Sequence, residues 1–388
     1  MNMENTTFFD FDMPIERRGT SSLKWEKYKD KDVIPLWVAD MDFRSAPAVI
    51  DALQQQVAFG VFGYTVPHDA LIEVVVSMLN RQYDWAVQAE WLVWLPGLVT
   101  GINLACRAVG ADGDDVMTAV PVYPPFLTAP GNSGRNLIKV PLKKRQNRWE
   151  FDFDLLESMI TSKTRLFILC NPHNPVGRVY TRYELETLSA ICKKHGIVIC
   201  SDEIHNGLIL DEEKIHIPTA TLDADIAAPT ITLMAPSKTF NLPGLGCSFA
   251  VILDKNLRDR FKRAMAGIVP MVNLFGLRAA EVAFRDCFEW HAALLDYLRG
   301  NRSHVEKAVS QMPHLSMAPV EATYLAWLDA RDTGLRDPAA FFEDAGVGLQ
   351  DGNEFAGPGF LRLNFACRRA LLLEALDRMA AALNHHTI

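Results

Sequence analysis

The 388-residue sequence contains no C-x-x-C pair and has no recognisable signal peptide. Its seven cysteines are dispersed along the chain, which is typical of reduced, mostly buried thiols. The first residues, Met-Asn-Met-Glu-Asn, lack the basic and apolar regions that direct secretion. These absences predict a cytoplasmic protein, and no metal site is predicted.

The sequence also lacks a basic stripe and an apolar run long enough to cross a membrane. Its formal net charge of −8 and isoelectric point near 5.7 argue against binding to nucleic acid. The most membrane-like window, residues 91–106, is interrupted by Pro96, Gly97 and Gly101. Because a spanning helix needs about 20 apolar residues, this window is predicted to be buried core.

One lysine has no acidic residue near it in the sequence. Lys238 lies in the segment Leu233–Gly246, and no Asp or Glu occurs between Asp225 and Asp254. Lysine is rarely buried without a partner, and burial lowers its pKa. The sequence therefore raises the question of what Lys238 binds.

Short β-branched, apolar runs alternate with helical patterns through the middle of the chain. The predicted strands are Leu92–Leu95, Asp115–Val120, Leu137–Val140, Arg165–Cys170, Gly196–Ser201, Thr230–Ala235 and Ser248–Leu253. A helix is predicted over Arg182–His195, opened by a capping box of Thr181 and Glu184. This alternation predicts an α/β fold with a mostly parallel seven-stranded sheet covered by helices.

The two ends of the chain show no such alternation. The elements predicted near the C-terminus are a helix over Trp290–Gln311, strands over Thr323–Asp329 and Leu361–Phe365, and a helix from Arg369. We therefore predict a large domain over residues 46–285. A smaller α/β domain is predicted from residues 286–388 together with the N-terminal segment 1–45.

Five predicted strands are followed directly by polar residues, prolines or glycines. These segments are Pro96-Gly97, Pro121–Pro125, Asn171–Gly177, Asp202–His205 and Ser237-Lys238. Ligands bind open α/β sheets outside the carboxyl ends of the strands. The five segments are therefore expected to meet at one site.

Each of the polar residues in these segments also has an ordinary structural explanation. Asp202 can cap a helix, and Asn174 suits a turn. Tyr123 can pack a loop, and Lys238 can extend to solvent. Together the four explanations require that an Asp, an Asn, a Tyr and a Lys occur at strand ends by coincidence.

Pyridoxal 5'-phosphate is a cofactor that requires this combination of groups. A partly desolvated lysine forms a Schiff base with a carbonyl, so Lys238 is predicted to bind the cofactor aldehyde. Asp202 is predicted to bind the pyridinium N–H, which keeps the ring an electron sink. Asn174 can donate to the phenolic oxygen, and Tyr123 can stack on the ring.

The cofactor phosphate is assigned to a helix N-terminus. The backbone N–H groups of Leu98 and Val99 follow Pro96-Gly97 and can hold a phosphate there. Ser237 can add a hydroxyl group to the same site.

Three motifs, N-P-H-N-P-V-G, S-D-E-I-H and S-K-T-F-N, resemble in order and spacing those of fold-type I pyridoxal-phosphate enzymes of the class I/II aminotransferase superfamily. The resemblance covers essentially the whole chain. Narrower features resemble the MalY/PatB group of cystathionine β-lyases, also called C–S lyases. They are Arg18–Trp25, Leu36–Phe43, Phe62–Thr65, the D-E-I-H tetrad and Glu321–Leu328.

The resemblance implies further site residues and a homodimer. Tyr64 resembles the tyrosine that reaches the cofactor phosphate from the neighbouring subunit. Arg362 matches an arginine that clamps the substrate α-carboxylate, for which a guanidinium fork is better suited than an ammonium. From the residues alone, a surface salt bridge is an equal alternative for Arg362. Ala39 lies where the family offers backbone to the same carboxylate.

The sequence departs from the general aminotransferase pattern at two positions. Gly246 stands where many aminotransferases have an arginine that binds phosphate, and His205 stands where tyrosine is common. Both departures fit the C–S lyase group. A structural hydrogen bond is the alternative for His205, so no catalytic role is assigned to it.

The activity implied by the resemblance is β-elimination of cystathionine or related S-substituted cysteines, which releases a thiol (homocysteine), pyruvate and ammonia. An aminotransferase that uses the same site is the first alternative. A regulator that binds a transcription factor is the second. The sequence leaves the preferred thioether open.

Overall fold

The chain is described here by a computed structural model that covers residues 9–386. The helices are α1 Leu23–Glu26, α2 Pro47–Phe59, α3 Asp69–Tyr83, α4 Leu98–Ala108, α5 Pro124–Asn132, α6 Phe153–Ser158, α7 Arg182–Lys194, α8 Ala224–Ala227, α9 Lys255–Met265, α10 Leu274–Asp286, α11 Phe288–Gln311, α12 Pro338–Asp344 and α13 Arg369–His385. The strands are β1 Ile34–Pro35, β2 Leu92–Leu95, β3 Asp115–Val120, β4 Asn136–Pro141, β5 Lys143–Arg145, β6 Arg148–Glu150, β7 Thr164–Cys170, β8 Val198–Asp202, β9 Thr230–Met234, β10 Ser248–Ile252, β11 Ser316–Met317, β12 Leu325–Asp329, β13 Val347–Gly348, β14 Gln350–Asp351 and β15 Phe360–Asn364.

The central sheet has seven strands in the order β2-β10-β9-β8-β7-β3-β4. Strand β10 runs antiparallel to both of its neighbours, and the other adjacent pairs run parallel. All seven strands predicted from the sequence are confirmed, with ends that differ by at most two residues. The mostly parallel α/β fold is confirmed with them.

Helices cover both faces of the central sheet, which explains why its inner strands are buried and mostly apolar. On one face, α4, α5 and α9 pack against the sheet through buried side chains such as Ile102, Phe126 and Phe261. On the other face, α7 buries Leu185 and Leu188. Each fully buried Leu or Phe side chain contributes roughly 1.5–3 kcal/mol, so these two layers stabilise the central sheet.

Local sequence signals set the ends of several elements. Helix α7 begins with the predicted capping box, in which the Thr181 hydroxyl accepts from the Glu184 N–H and Glu184 bonds back to the Thr181 N–H. The strand predicted from Thr323 begins instead at Leu325. Thr323 has a φ of 72°, which lies in the left-handed region and is incompatible with a strand.

A second, smaller sheet is formed by the C-terminal part of the chain. Its strands lie in the order β11-β12-β15-β14 and are antiparallel. The N-terminal segment joins this part, because β1 pairs in parallel with β13 through Ile34 and Val347. The division into residues 46–285 and the two chain ends stays a prediction.

The apolar window 91–106 forms strand β2 and helix α4, which are part of the core as predicted. None of the described helices is long and apolar enough to cross a membrane.

Candidate active site

The carboxyl ends of β2, β3, β7, β8 and β9 lie at one edge of the central sheet, because these strands run parallel. A pocket with a volume of about 170 Å³ lies at that edge. Its wall includes a residue from every one of the five predicted segments and from the N-terminal part: Ala39, Pro96, Gly97, Leu98, Val99, Tyr123, Asn174, Asp202, His205, Ser237, Lys238 and Gly246. The five segments therefore converge, as their position in the sequence predicts.

Lys238 follows β9 and is partly buried in the pocket wall. Its Nζ donates a hydrogen bond to the Ala39 carbonyl at 2.5 Å. Burial and, to a lesser extent, the nearby Arg362 charge lower the pKa of this amine to about 8, although the carboxylates of Asp40 and Asp202 oppose the shift. About a tenth of the Lys238 amine is therefore neutral and nucleophilic at pH 7, against less than about a thousandth of an ordinary lysine.

Asp202 is the last residue of β8 and is 4% exposed. Its Oδ1 accepts from the Ile204 N–H at 3.1 Å, which forms a local turn, and no described helix begins there. The Oδ2 atom has no hydrogen-bond donor among the described residues. Burial raises the pKa of this carboxyl to about 7, so a cationic partner in the pocket would stabilise its charged form.

Asn174 is a buried pocket residue in the loop that follows β7. Its Oδ1 accepts from Arg362 Nη1 at 3.1 Å, which leaves the amide N–H groups as donors toward a ligand. The turn that contains Asn174 therefore also presents a functional side chain. Tyr123 lies beside it, because the Tyr123 N–H donates to the Asn174 carbonyl at 3.1 Å.

Tyr123 precedes helix α5 and is half-buried, with one side in the pocket wall. Burial raises the pKa of its hydroxyl, so the phenol stays neutral at physiological pH. Its ring packs against both apolar clusters of the central sheet. Tyr123 can therefore pack the loop and also present one face of its ring to a ligand.

The N-terminus of helix α4 forms another part of the wall. The helix begins at Leu98 after Gly97, so the N–H groups of Leu98 and Val99 belong to a first turn without carbonyl partners in the helix. Such groups bind anions, and a phosphate is the expected ligand. Ser237 lines the same pocket, two residues after Ala235 in the loop that carries Lys238.

Gly246 allows two loops of the pocket to approach closely. It has a φ of 58°, and a Cβ atom there would lie 3.1 Å from the Pro96 carbonyl oxygen. A side chain at this position would therefore strain the backbone and displace the Pro96 loop. This explains in physical terms why no arginine stands here.

Arg362 lies on β15 outside the pocket wall, but it contacts the pocket through Asn174. It is 2% exposed, and its other partners are the Trp37 carbonyl at 2.8 Å and the Gln350 side-chain oxygen. No carboxylate of the described residues forms an ion pair with it, so the surface salt bridge is not found. Burial lowers the pKa of its guanidinium to about 10.

The N-terminal strap, residues 37–43, connects the two sheets across the pocket. The Asn241 side chain accepts from the Met41 N–H at 3.0 Å and donates to the Met41 carbonyl at 3.1 Å. From the small sheet, Asn364 donates to the carbonyls of Val38 and Asp40. These contacts fix the Ala39 carbonyl, which also accepts from the Tyr324 hydroxyl at 2.9 Å.

Sequence reasoning missed the residues that hold the strap. Asn241 belongs to the S-K-T-F-N motif and Asn364 to the segment Leu361–Phe365, both of which are visible in the sequence. Their partners are about 200 and 325 residues away, so no local pattern indicates the contacts.

His205 lies in the pocket wall and is 2% exposed. Its Nδ1 is buried without a hydrogen-bond partner, so the structural hydrogen bond considered from the sequence is not seen at this atom. Burial, aided by the charges of Lys238 and Arg362, holds the pKa of the ring well below its usual value, so the imidazole is neutral.

Among the described residues, Tyr64 is the predicted site residue whose side chain has almost no contact with the rest of the chain. Its side chain is 98% exposed and does not line the pocket. Phe62 and Val66 beside it are also mostly exposed. The segment is therefore an uncovered apolar surface of the isolated chain.

These groups fit pyridoxal phosphate on the geometry alone. The pocket combines a partly neutral lysine amine, a buried carboxylate with a free oxygen, amide donors and unpaired helix N–H groups. Those groups match, in turn, an aldehyde, a ring N–H, a phenolic oxygen and a phosphate. No cluster of metal-ligating side chains occurs among residues 9–386.

Comparisons with known proteins agree with this chemistry. A family model described as aminotransferase class I and II matches residues 31–379. Cystathionine beta-lyase PatB of Bacillus subtilis (strain 168) is 36% identical over 387 residues, which cover 97% of this chain and 100% of that protein.

Two solved structures extend the comparison. A crystal structure of OvoB has 47% identity and a TM-score of 0.96, and the match covers 98% of this chain and 100% of that one. Cystalysin from Treponema denticola, whose structure contains pyridoxal 5'-phosphate, has 31% identity and a TM-score of 0.93, with 97% and 99% covered.

Proposed function

We propose, from the premise that the chain belongs to the aminotransferase class I and II family, that it is a pyridoxal-phosphate-dependent carbon–sulfur lyase. It removes the thiol from cystathionine or a related S-substituted cysteine by β-elimination and releases pyruvate and ammonia. The observation that carries the proposal is the convergence of Lys238, Asp202 and Asn174 in one pocket, beside a buried arginine without an anionic partner. Full-length similarity to a cystathionine beta-lyase supports this reaction over transamination.

Pyridoxal phosphate, when bound, supplies an electron sink that stabilises negative charge at the Cα of an amino acid. Lys238 would hold its aldehyde carbon, and the free Oδ2 of Asp202 would accept the pyridine N–H. The buried Asp202 carboxylate would be ionised more readily beside that cation. Asn174 would donate to the phenolic oxygen, and Tyr123 would cover one face of the ring.

The first turn of α4 would hold the phosphate. The N–H groups of Leu98 and Val99 and the Ser237 hydroxyl would donate to its oxygens, and the helix dipole would favour its negative charge. Gly246 allows the loop that follows Lys238 to lie close to the Pro96 loop on this side.

The substrate is held by Arg362 and by the strap. The guanidinium binds the α-carboxylate, and the Ala39 backbone lines the same position. The amine of Lys238, once free, takes the Cα proton and carries a proton to the leaving sulfur. Its lowered pKa of about 8 suits both steps, because the amine exchanges protons readily near neutral pH.

The proposal includes a homodimer in which Tyr64 reaches the cofactor phosphate of the partner subunit. The exposed apolar segment around Tyr64 supports it, because such surfaces are usually covered in the working assembly. We also retain the division into residues 46–285 and the two chain ends, and a cytoplasmic location. The seven cysteines, all free and buried, support the latter.

The test is the release of pyruvate from cystathionine by the purified, cofactor-loaded protein without any keto acid. A lyase releases pyruvate and a thiol in equal amounts under these conditions. An aminotransferase would release neither, because transamination leaves the carbon–sulfur bond intact and needs a keto acid to accept the amino group. A protein that binds a transcription factor but turns over no sulfur amino acid would contradict the proposal in favour of a regulator.

A further inference from the structure

Arg362 is a buried cation whose hydrogen-bond partners are all neutral. A guanidinium has five N–H donors: one on Nε and two on each Nη. One Nη1 hydrogen goes to Asn174, and both Nη2 hydrogens are used, by the Trp37 carbonyl and by Gln350 Oε1. The Nε atom is buried without a partner.

The free donors of Arg362 do not form a fork. A carboxylate binds a guanidinium bidentately along one of two edges, either Nη1 with Nη2 or Nε with Nη2. Both edges require a hydrogen on Nη2. The donors that are free, on Nε and Nη1, lie on different edges. A substrate carboxylate must therefore take an Nη2 hydrogen from Trp37 or from Gln350.

Gln350 is the partner of Arg362 that a substrate carboxylate can displace. The Trp37 carbonyl is main chain, and the strap that carries it is fixed by Asn364 and Asn241. Gln350 is a half-exposed side chain on β14, directly opposite Arg362 on β15. Its Nε2 donates to the exposed carboxylate of Glu354 at 2.9 Å, which offers an alternative position toward solvent.

We propose that Gln350 occupies the place of the substrate α-carboxylate on Arg362 in the free enzyme and is displaced when a carboxylate binds. This inference rests on the proposed function, in which Arg362 binds that carboxylate. Gln350 is then a specificity-determining residue. Its neutral amide holds the guanidinium in position yet competes only weakly, so a charged carboxylate replaces it and a neutral group does not.

Two substitutions of Gln350 should act in opposite directions. Gln350→Ala removes the competitor, so amino acids with a free carboxylate should bind about two- to tenfold more tightly, the value of one ordinary hydrogen bond. Gln350→Glu supplies a permanent anionic partner of nearly the same shape, so the same ligands should bind at least about tenfold more weakly. The matched controls are Gln311→Ala and Gln311→Glu, because Gln311 is exposed at the end of α11.

The experiment is a titration of the cofactor-loaded variants with L-alanine and with L-alaninamide, followed by the visible absorbance of the cofactor. Neither ligand carries a leaving group at Cβ, so binding is measured without β-elimination. The two Gln350 variants should shift the dissociation constant of L-alanine in opposite directions and leave that of L-alaninamide within about twofold. Both Gln311 variants should match the unmodified protein. If only one Gln350 variant loads with cofactor, that variant alone tests the proposal. The quantity compared is then the ratio of its dissociation constants for L-alanine and L-alaninamide, relative to the same ratio in the unmodified protein.

Arg362→Lys separates a failure of this inference from a failure of the proposed function. If Arg362→Lys weakens L-alanine binding and the Gln350 variants do not change it, the role of Gln350 is wrong and the carboxylate site stands. If Arg362→Lys also leaves L-alanine binding unchanged, the carboxylate site itself is wrong. Equal shifts for L-alanine and L-alaninamide would make Gln350 a general structural residue and overturn the inference.

Discussion

Replacing Arg362 by glutamine should raise the pH at which Lys238 loses its proton. In the unmodified apoprotein, burial and the Arg362 charge together lower the pKa of the amine to about 8. An ordinary lysine titrates near 10.4, so near pH 7.5 about a quarter of the Lys238 amine is neutral, against roughly a thousandth of an exposed one. Because burial is the larger cause, the midpoint of Arg362→Gln should lie between these two values.

The assay is the rate at which the apoprotein takes up pyridoxal phosphate, followed by absorbance from pH 6 to pH 10.5. Only the neutral amine attacks the aldehyde, so the rate should rise tenfold per pH unit below the midpoint and level off above it. The reaction of the same cofactor with N-α-acetyl-lysine, measured in parallel, corrects for the ionisation of the cofactor.

Two results would refute the reasoning separately. A midpoint near 10 in the unmodified protein would mean that the Lys238 amine is fully solvated. A midpoint near 8 that stays unchanged in Arg362→Gln would mean that burial acts alone and that the Arg362 charge is screened from the amine.

Three further outcomes are expected. Lys238→Ala should abolish turnover, and borohydride should fix the cofactor of the unmodified protein to the peptide that contains Lys238; labelling of another peptide would contradict the assignment. Arg362→Lys should raise KM and lower kcat/KM about ten- to a hundredfold, with an unchanged cofactor spectrum, because a charge-assisted bidentate contact is worth roughly 1.5–3 kcal/mol. Unchanged kinetics would mean that the substrate carboxylate does not bind at Arg362. Mixing inactive Tyr64→Ala and Lys238→Ala subunits should restore about a quarter of the activity, because half of the randomly formed dimers have one intact site out of two; no recovery despite proven subunit exchange would place Tyr64 outside the partner's site.

The central sheet was predictable because each of its strands has a local sequence pattern. Buried parallel strands are short, continuous apolar runs, and the residues after them are polar or break the strand. The predicted and observed ends therefore agree closely at Asp115–Val120 and Leu92–Leu95. The error at Thr323 has the same origin, since a β-branched residue looks like a strand residue even when its backbone is left-handed.

The side chains that meet at the pocket were predictable only in part. Asp202 ends a strand, and Lys238 and Asn174 lie in the loops just after strands, so topology brings the three together. Gln350 gave no such signal, because its importance comes from a neighbour on the adjacent strand whose pairing the sequence does not display. Tyr64 needs a second chain, and no pattern within one chain reveals what covers it.

The strap has a consequence for the order in which the protein is made. Residues 37–43 are synthesised before the side chains that hold them, because Asn241 and Asn364 follow about 200 and 325 residues later. Contacts so distant along the chain close slowly. The strap of a growing chain therefore lacks its contacts with Asn364 until about 325 further residues have been synthesised. Until then the segment that carries the Ala39 carbonyl is held from the Asn241 side without the Asn364 contacts, so the wall around the Lys238 amine is completed after the rest of the pocket has been made.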